Sequence, residues 1–368
     1  MYEMGHISTT VDARDLDYLN AGFTAKQWDS FLQHHERLSW AKMKQRRSPI
    51  PQKPFNPTFL KLPQLDNYEG IFNDEYWAHW EKKTYNDLEP FNSWVCPEKL
   101  ERIANELGYT GGEDRLKRVL NCLRKGADIG CRGSGRLPTR HPNSKSTAEY
   151  GNRVADALQG WIVDGLCYGP LDEDELPWGD YSVNPITVKL KPNGKARICI
   201  DMSAPHLTGA NHGQSATSVN SGIEADDFPT HMSSTKTFCE SLMRSGCPSE
   251  VCKLDYNQAY KHIAVRKEDH HLQVFTFGGK FFGEVRLTFG CTSSAGLFDD
   301  LAKLVKEMAQ RVSGTKKELV NQVLDDVVAV GSQGDGTVTR FYKAYRKICT
   351  DIGISLADES DVDKAFPA

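Results

Sequence analysis

Residues 322–331 read Gln-Val-Leu-Asp-Asp-Val-Val-Ala-Val-Gly, so two adjacent aspartates, Asp325 and Asp326, lie between short apolar runs. Runs of β-branched residues favour strands, and a polar pair between them is typical of a hairpin turn. A third aspartate, Asp255, ends another apolar run earlier in the chain. Beside the hairpin it would complete a set of three carboxylates, the ligands that Mg²⁺ prefers. The pattern indicates metal-assisted nucleotidyl transfer, whereas an Asp-Asp turn taken alone is more often a plain polar hairpin tip.

Length and composition indicate an ordinary globular protein. The chain has 368 residues, 39% of them hydrophobic and 26% charged, which is enough for two folded units. No apolar run approaches the roughly 20 residues that span a bilayer, and residues 1–10 contain no signal-peptide core. The ten cysteines are scattered and form no Cys-x-x-Cys pair, which predicts reduced thiols. We therefore expect an intracellular protein with no membrane partner.

The charge is unevenly distributed. The net charge is −4, yet residues 115–145 contain nine Lys or Arg and one acidic residue, Asp128. Such a bias favours the phosphates of nucleic acids, and an ordinary solvated surface is the alternative. The candidate nucleic-acid-binding residues are Arg115, Lys117, Arg118, Arg124, Lys125, Arg132 and Arg136.

The first 145 residues divide into three predicted segments. Residues 1–41 form a helical N-terminal segment. Residues 42–95 form a proline-rich basic linker followed by an acidic and aromatic segment, which would dock on the next domain or on a partner. Residues 96–145 form a helical hairpin with a basic loop, because 97–107 and 113–125 have amphipathic periodicity. A helix-turn-helix DNA reader is the alternative for this hairpin, although its turn residues fit no fixed pattern.

The next segment changes from helix to strand. Ser146 and Glu149 form a capping box that predicts one helix as far as Ile162. Apolar and polar residues then alternate over 186–200 on either side of Pro192-Asn193-Gly194, which predicts a β-hairpin.

From residue 250 onward the predicted order is strand, helix, strand, strand, helix and strand, with a hairpin inserted at Gly278-Gly279. Two of the strands, 319–324 and 327–330, flank the Asp-Asp turn. This order is β-α-β-β-α-β, the split ferredoxin-like unit, whose two central strands would bring Asp255 beside Asp325. The expected fold class is α+β.

Four segments resemble the sequence motifs of one enzyme family. Residues 184–201 (NPITVKLKPNGKARICID) are similar to its fingers hairpin, and 253–260 (KLDYNQAY) to motif A, D-x-x-x-A-Y. Residues 287–295 (LTFGCTSSA) are similar to motif B and 323–326 (VLDD) to motif C, Y-x-D-D. From about residue 148 onward the chain thus resembles the fingers and palm of a retrotransposon reverse transcriptase, nearest the gypsy and DIRS kinds. Each motif is weak, but four in this order are specific.

The resemblance implies a right-hand polymerase. Residues 146–249 would form a fingers-like region and 250–368 an incomplete ferredoxin-like palm, after a mostly helical N-terminal region. The implied activity is RNA-directed DNA polymerase, with an RNA or DNA primer-template and deoxynucleoside triphosphates as partners. Its cofactors would be two Mg²⁺ ions, with Mn²⁺ as a possible substitute.

The resemblance also implies roles for individual residues. Asp255, Asp325 and Asp326 are the candidate catalytic and metal-binding residues. Asp255 and Asp325 would hold two ions about 3.5–4 Å apart, and Asp326 would shape the electrostatic field of the site. This arrangement requires Asp255 to lie within about 8 Å of the other two carboxylates. The candidate nucleotide-binding residues are Arg197, Lys195, Lys191, Tyr260, Phe289 and Gly290. Arg197, Lys195 and Lys191 would bind the triphosphate. Tyr260 would contact the 2′ position of the sugar, and Phe289 and Gly290 would line the nucleotide pocket. The alternative for Tyr260 and Phe289 is that their rings are ordinary core.

The sequence departs from the family pattern in ways that bear on activity. Val323 replaces the first aromatic residue of motif C, and Ser360 stands where motif D usually has a lysine. The chain also stops before a primer grip and thumb, which predicts a fragment with weak or no activity alone. The alternative function is a catalytically inactive nucleic-acid-binding remnant. An RNA-dependent RNA polymerase is a third hypothesis, but such enzymes lack an aromatic sugar gate like Tyr260.

Overall fold

The computed structural model describes residues 72–109, 113–190, 196–205, 217–359 and 365–367. These residues belong to one unit, which runs from Asp66 to Ala368. The predicted N-terminal helical segment, most of the predicted linker, the fingers-tip residues Lys191 and Lys195, and Ser360 lie outside the described residues.

The described residues form a mixture of helices and strands, in agreement with the predicted α+β class. The helices are α1 (Asp74–Trp77), α2 (Pro97–Glu106), α3 (Glu113–Lys125), α4 (Lys145–Glu149), α5 (Gly151–Val163), α6 (Thr235–Ser245), α7 (Ser294–Ser313) and α8 (Thr337–Ile352). The strands are β1 (Cys167–Leu171), β2 (Val183–Asn184), β3 (Ile186–Leu190), β4 (Ala196–Ile200), β5 (Ser249–Asp255), β6 (Val274–Phe277), β7 (Lys280–Glu284), β8 (Val320–Val323) and β9 (Asp326–Ser332). None of these helices is long and apolar enough to cross a bilayer.

The strands of the described residues lie in three sheets. One has the order β1-β7-β6-β2, one is the antiparallel hairpin β3-β4, and one is an antiparallel sheet with the order β5-β9-β8. Tyr256, which directly follows β5, forms an isolated bridge with Leu356 on the side away from β9. The last predicted strand, 354–356, is thus reduced to a single bridge.

The three-stranded sheet has one buried face and one half-exposed face. Cys252 and Leu254 of β5, with Val327 and Ala329 of β9, are fully buried, and helix α8 packs on both strands. Because successive side chains of a strand alternate between faces, the intervening residues Lys253, Asp255, Asp326 and Val328 share the other face. This second face is only partly covered.

Helices α7 and α8 confirm the predicted apolar periodicity. Leu301 and Leu304 of α7 and Phe341 and Tyr345 of α8 are fully buried, and the two helices pack on each other. Gly353, at a φ of +89°, ends α8 as predicted.

The prediction of a single helix from Ser146 to Ile162 is wrong, because the chain breaks at Tyr150 into α4 and α5. Ser146, from the predicted capping box, and the adjacent Thr147 bind the neighbouring hairpin instead. The Ser146 hydroxyl accepts a 3.0 Å hydrogen bond from the amide of Val188, and the Thr147 hydroxyl donates a 2.6 Å bond to the carbonyl of Ile186. Docking on β3 therefore overrides the local capping signal.

The described part of the acidic and aromatic segment docks on its own chain. The ring of Phe72 lies 4.8 Å from that of Phe277, and the indole of Trp77 donates a 3.2 Å hydrogen bond to the carbonyl of Gly278. Of the two predicted alternatives, docking within the chain is the one observed for residues 72–95.

Candidate active site

The candidate carboxylates lie where β5 ends and β9 begins. Asp255, the last residue of β5, is directly opposite Asp326, the first residue of β9. Directly opposed residues of antiparallel strands have Cβ atoms about 4.5–5.5 Å apart. Asp325 precedes Asp326, and its carbonyl accepts a 3.3 Å hydrogen bond from the amide of Tyr256. The structure therefore brings the three aspartates together at one end of the sheet.

The turn is shifted by one residue from the predicted Asp-Asp tip. Val323 pairs with Asp326 to close the hairpin, so the two turn residues are Leu324 and Asp325. Asp326 belongs to β9, and it is this residue, rather than Asp325, whose backbone is paired with Asp255. A shift of one residue reverses the face of every side chain in a strand, so the register decides which carboxylate faces Asp255.

Leu324 is held in an uncommon backbone conformation. Its φ is +56°, in the left-handed region that bulky side chains rarely occupy. In a two-residue hairpin turn this position usually carries glycine or asparagine. The Leu324 carbonyl accepts a 3.1 Å hydrogen bond from the Gln322 side chain, and the Gln322 backbone is bound on both sides by Ser233. Strain that is supported in this way is common at functional sites.

Lys253 adds a positive charge to the carboxylates. It lies two residues before Asp255 on the same face of β5, and its Nζ lies 3.0 Å from Oδ1 of Asp326. The contact is an ion pair without hydrogen-bond geometry. Sequence reasoning missed Lys253, although its two-residue spacing from Asp255 was a usable signal.

The donor set suits a hard divalent cation. Within the described ranges, no group of three or more Asp, Glu, His or Cys side chains is arranged to hold a metal ion. Mg²⁺, however, is usually bound by one or two carboxylates together with waters and substrate phosphates, rather than by a cage of protein ligands. Asp255 together with either Asp325 or Asp326 can supply two carboxylates. The residues therefore fit the predicted cation.

The predicted nucleotide-binding residues that the structure describes lie in a row. The guanidinium of Arg197 on β4 lies 6.0 Å from the centre of the Phe289 ring, which in turn lies 4.7 Å from the Tyr260 ring. The amide of Ile200 donates a 3.2 Å hydrogen bond to the Phe289 carbonyl, which joins β4 to this loop. Phe289 remains 36% exposed, so the alternative that it is ordinary core does not hold.

Gly290 is required by a close backbone contact. A Cβ atom at this position would lie 1.8 Å from the carbonyl oxygen of Ile200, and its φ is +106°. The side-chain amide of Asn220 donates a 2.7 Å hydrogen bond to the Gly290 carbonyl and accepts a 3.0 Å bond from the amide of Thr292. Asn220 thus holds the loop at Gly290 and two residues after it. Sequence reasoning missed this residue, because the clamp depends on a contact distant in sequence.

Tyr260 is largely buried and electrostatically linked to the carboxylates. Burial, reinforced by the negative charge of Asp325, raises the pKa of the Tyr260 phenol to about 12. The phenol is therefore neutral near pH 7. Its ring contacts both Phe289 and Phe298, as the ring of a core tyrosine would.

His262 is a third residue that sequence reasoning missed. Its Nδ1 lies 3.1 Å from the carbonyl of Ala259, and its Nε2 accepts a 3.0 Å hydrogen bond from the amide of Ser355. Burial lowers the pKa of His262 to about 4, so the imidazole is neutral near pH 7. It joins the turn that follows β5 to the segment that bridges Tyr256.

All five of the predicted nucleic-acid-binding arginines are engaged within the protein. Each of five forms an ion pair with a carboxylate at 2.5–3.0 Å: Arg115 with Glu307, Arg118 with Asp300, Arg124 with Glu101, Arg132 with Asp128, and Arg136 with Asp269. Asp269 is fully buried and also binds Arg266. The positive charge of these arginines is therefore balanced by acids, four of the five from outside residues 115–145.

Comparison with known proteins gives limited similarity. No family model and no curated protein matches the chain. Among solved structures, a foamy viral protease-reverse transcriptase in complex with double-stranded DNA is 14% identical with a TM-score of 0.44, over 73% of this chain and 43% of that chain. Native prototype foamy virus protease-reverse transcriptase is 15% identical with a TM-score of 0.41, over 74% and 34%. The chain thus spans less than half the length of these proteins, and similarity at this level establishes no family membership.

Proposed function

We propose that this chain is the fingers and palm of a retroelement reverse transcriptase, an RNA-directed DNA polymerase that uses two Mg²⁺ ions. The observation that carries the proposal is the pairing of Asp255 with Asp326 on a half-exposed sheet face, with Asp325 in the adjoining turn. The four sequence motifs favour an element of the gypsy or DIRS kind.

The strand order supports the assignment of a palm. The strand next to β5 on one side is β9, followed by β8, and the bridge at Leu356 lies on the other side. With α8 packed on β5 and β9, and α7 packed on α8, this order matches a β-α-β-β-α-β unit into which the β6-β7 hairpin is inserted. The carboxylates then lie on the half-exposed face of the sheet.

The proposed mechanism assigns separate tasks to the residues. Asp255 and Asp325 would hold the ions, which when bound lower the pKa of a primer 3′-hydroxyl and neutralise the triphosphate. Arg197 would bind phosphate oxygens of the incoming nucleotide through its planar guanidinium. The neutral ring of Tyr260 would lie against the 2′ position of the sugar, and Phe289 and Gly290 would form the adjoining wall of the pocket.

Primer extension tests the proposal. The full chain is incubated with an RNA template, a DNA primer, deoxynucleotides and Mg²⁺ or Mn²⁺. Incorporation should fall by about a hundredfold or more in Asp325→Asn, because removal of a metal ligand costs several kcal/mol of transition-state stabilisation. Asp174→Asn, at an exposed aspartate, is the matched control and should retain the wild-type rate. Equal incorporation by Asp325→Asn and wild type would refute the proposal.

A catalytically inactive nucleic-acid-binding remnant is the second candidate. The observation that favours it is the ion pair of Lys253 with Asp326, which partly neutralises the carboxylate face without any metal. Salt-sensitive binding of the primer-template that Asp255→Asn leaves unchanged, together with no incorporation, would support this function over the first.

A further inference from the structure

The position of Lys253 is fixed by the backbone on both of its sides. It pairs with Val328 of β9 on one side, and on the other it exchanges two backbone hydrogen bonds with Phe366, of 3.0 and 3.1 Å. Its side chain is 23% exposed and lies on the face that carries Asp255. These backbone contacts on both sides hold the Cα of Lys253 close to the carboxylates.

The carboxylate of Asp326 lies opposite a second carboxylate. Asp255 and Asp326 are directly opposed, and like charges in this relationship destabilise a sheet. Asp325 adds a third negative charge one residue away. The Nζ of Lys253 lies 3.0 Å from Asp326 Oδ1, diagonally across the two strands, where a positive charge offsets that repulsion.

We propose that Lys253 is a positioning residue that acts as the internal counter-ion of Asp326 and keeps that carboxylate out of the metal-binding set. The inference deepens the proposed function and depends on it for the identity of the cation. It divides the three aspartates into two groups. Asp255 and Asp325 bind the divalent ions, while Asp326 remains paired with Lys253 whether or not metal is bound.

A direct consequence concerns metal affinity. Any cation that approaches Asp255 and Asp325 is repelled by the nearby ammonium group, and it also finds one carboxylate already neutralised. Lys253 therefore weakens divalent-cation binding, which is the opposite of the effect expected for a residue that only stabilises the fold. Loss of packing would loosen the site and reduce its affinity for metal.

Calorimetric titration of the full chain with Mn²⁺ alone, without nucleotide, tests this direction. Lys253→Met should bind Mn²⁺ more tightly than wild type, because the substitution removes the ammonium group that repels the cation. The gain should be about three- to tenfold, since a partly exposed charge is screened by solvent and salt. Lys253→Arg retains the charge and should bind like wild type. Lys347→Met is the matched control, since Lys347 forms a 2.8 Å ion pair with Asp351 on the exposed side of α8. Unchanged or weaker Mn²⁺ binding by Lys253→Met would overturn the inference.

A double-mutant cycle in EDTA separates this inference from the proposed function. Urea unfolding is measured for wild type, Lys253→Met, Asp326→Asn and the double variant. We expect Asp326→Asn to be destabilising in the wild type but neutral or stabilising when Lys253 is absent, because it then relieves repulsion instead of breaking an ion pair. Strictly additive effects would overturn the inference. Because the cycle contains no metal, nucleotide or primer, failure of primer extension would refute the proposed function and leave the cycle unaffected.

Discussion

The hydroxyl groups of Tyr256 and Tyr345 form a 2.6 Å hydrogen bond in the core beneath the carboxylates. Tyr256 directly follows Asp255, and Tyr345 lies on α8, so the bond joins the end of β5 to the helix that covers its buried face. Both side chains are fully buried, and burial raises the pKa of both phenols well above the ordinary value. The hydrogen bond between the two tyrosines therefore helps to fix the position of Asp255.

Replacing one tyrosine of this pair should be more damaging than replacing both. Tyr345→Phe leaves the Tyr256 hydroxyl buried without its partner, which should lower the free energy of unfolding by about 1–3 kcal/mol. The double variant Tyr256→Phe/Tyr345→Phe leaves no hydroxyl unpaired and should recover most of that loss. Urea denaturation of the two single variants, Tyr256→Phe and Tyr345→Phe, and of the double variant measures both effects. A double variant as unstable as the sum of the two single variants would contradict the prediction.

Two glycines allow the close contact at Gly290 to be tested separately from its backbone angle. Gly290 and Gly279 both have positive φ, +106° and +79°, but a Cβ at Gly279 would meet nothing within 4 Å. Gly279→Ala should therefore cost only the backbone strain, about 1–2 kcal/mol. Gly290→Ala should cost at least about 2 kcal/mol more, because the methyl group overlaps the Ile200 carbonyl. Thermal or urea unfolding checks the difference, and equal losses would show that the contact is not as close as described.

His262 should make the fold sensitive to mild acid. Its pKa is about 4 in the folded state, against an ordinary value of about 6.5. As the pH falls below about 6.5, the unfolded chain gains a proton that the folded chain does not accept, so stability is lost down to about pH 4. The loss for this residue amounts to about 3 kcal/mol.

Unfolding of wild type and His262→Gln at pH 7.5 and 5 measures this contribution. His262→Gln should be less stable than wild type at pH 7.5, because Ser355 and Ala259 lose their hydrogen-bond partner. It should also lose less stability on acidification. His79→Gln, at an exposed histidine, should retain the wild-type pH dependence. An unchanged pH dependence in His262→Gln would assign the acid sensitivity to other groups, such as the buried His270, whose pKa burial also lowers to about 4.

Periodicity in the sequence predicted the elements that frame the site. The apolar residues of α7, α8 and the strands around Asp325 are consecutive or regularly spaced, so burial of one face specifies their type and approximate position. The exact partner of Asp255 was not predictable in this way. The register of a strand pair depends on side-chain packing and turn geometry, and here the turn forms at Leu324-Asp325 because Val323 pairs with Asp326.

The charge pattern shows a different limit of sequence reasoning. Arg115 and its neighbours form a basic cluster along the chain, but their acidic partners, such as Glu307 and Asp300, are contributed by α7, far away in sequence. The contact of Asn220 with Gly290 is equally distant in sequence. Local spacing carries no signal for such pairs, because they are created only when helices and loops pack.

Two arginines should therefore respond to substitution in opposite ways. Arg115 pairs with Glu307 at 2.7 Å and is only 25% exposed, so Arg115→Gln should mainly lower stability, by about 1 kcal/mol. Arg197 is exposed on β4, and Arg197→Gln should leave stability nearly unchanged. In steady-state primer extension it should raise the KM for deoxynucleotides by about tenfold or more, since a charge-assisted hydrogen bond to phosphate contributes about 1.5–3 kcal/mol. A rise in KM for Arg115→Gln but not for Arg197→Gln would reverse the assignment of the phosphate-binding residue.

Tyr260 distinguishes a DNA-synthesising site from an RNA-synthesising one. If its ring lies against the 2′ position of the sugar, Tyr260→Ala should open space for a hydroxyl group and reduce the preference for deoxynucleotides over ribonucleotides by about ten- to a hundredfold. Tyr260→Phe keeps the ring and should retain the preference, which separates the steric role from that of the phenol. The measurement is the ratio of kcat/KM for the two nucleotide types on one primer-template. An unchanged ratio in Tyr260→Ala would return Tyr260 to the role of a core residue packed on Phe298 and would favour the RNA-dependent RNA polymerase hypothesis.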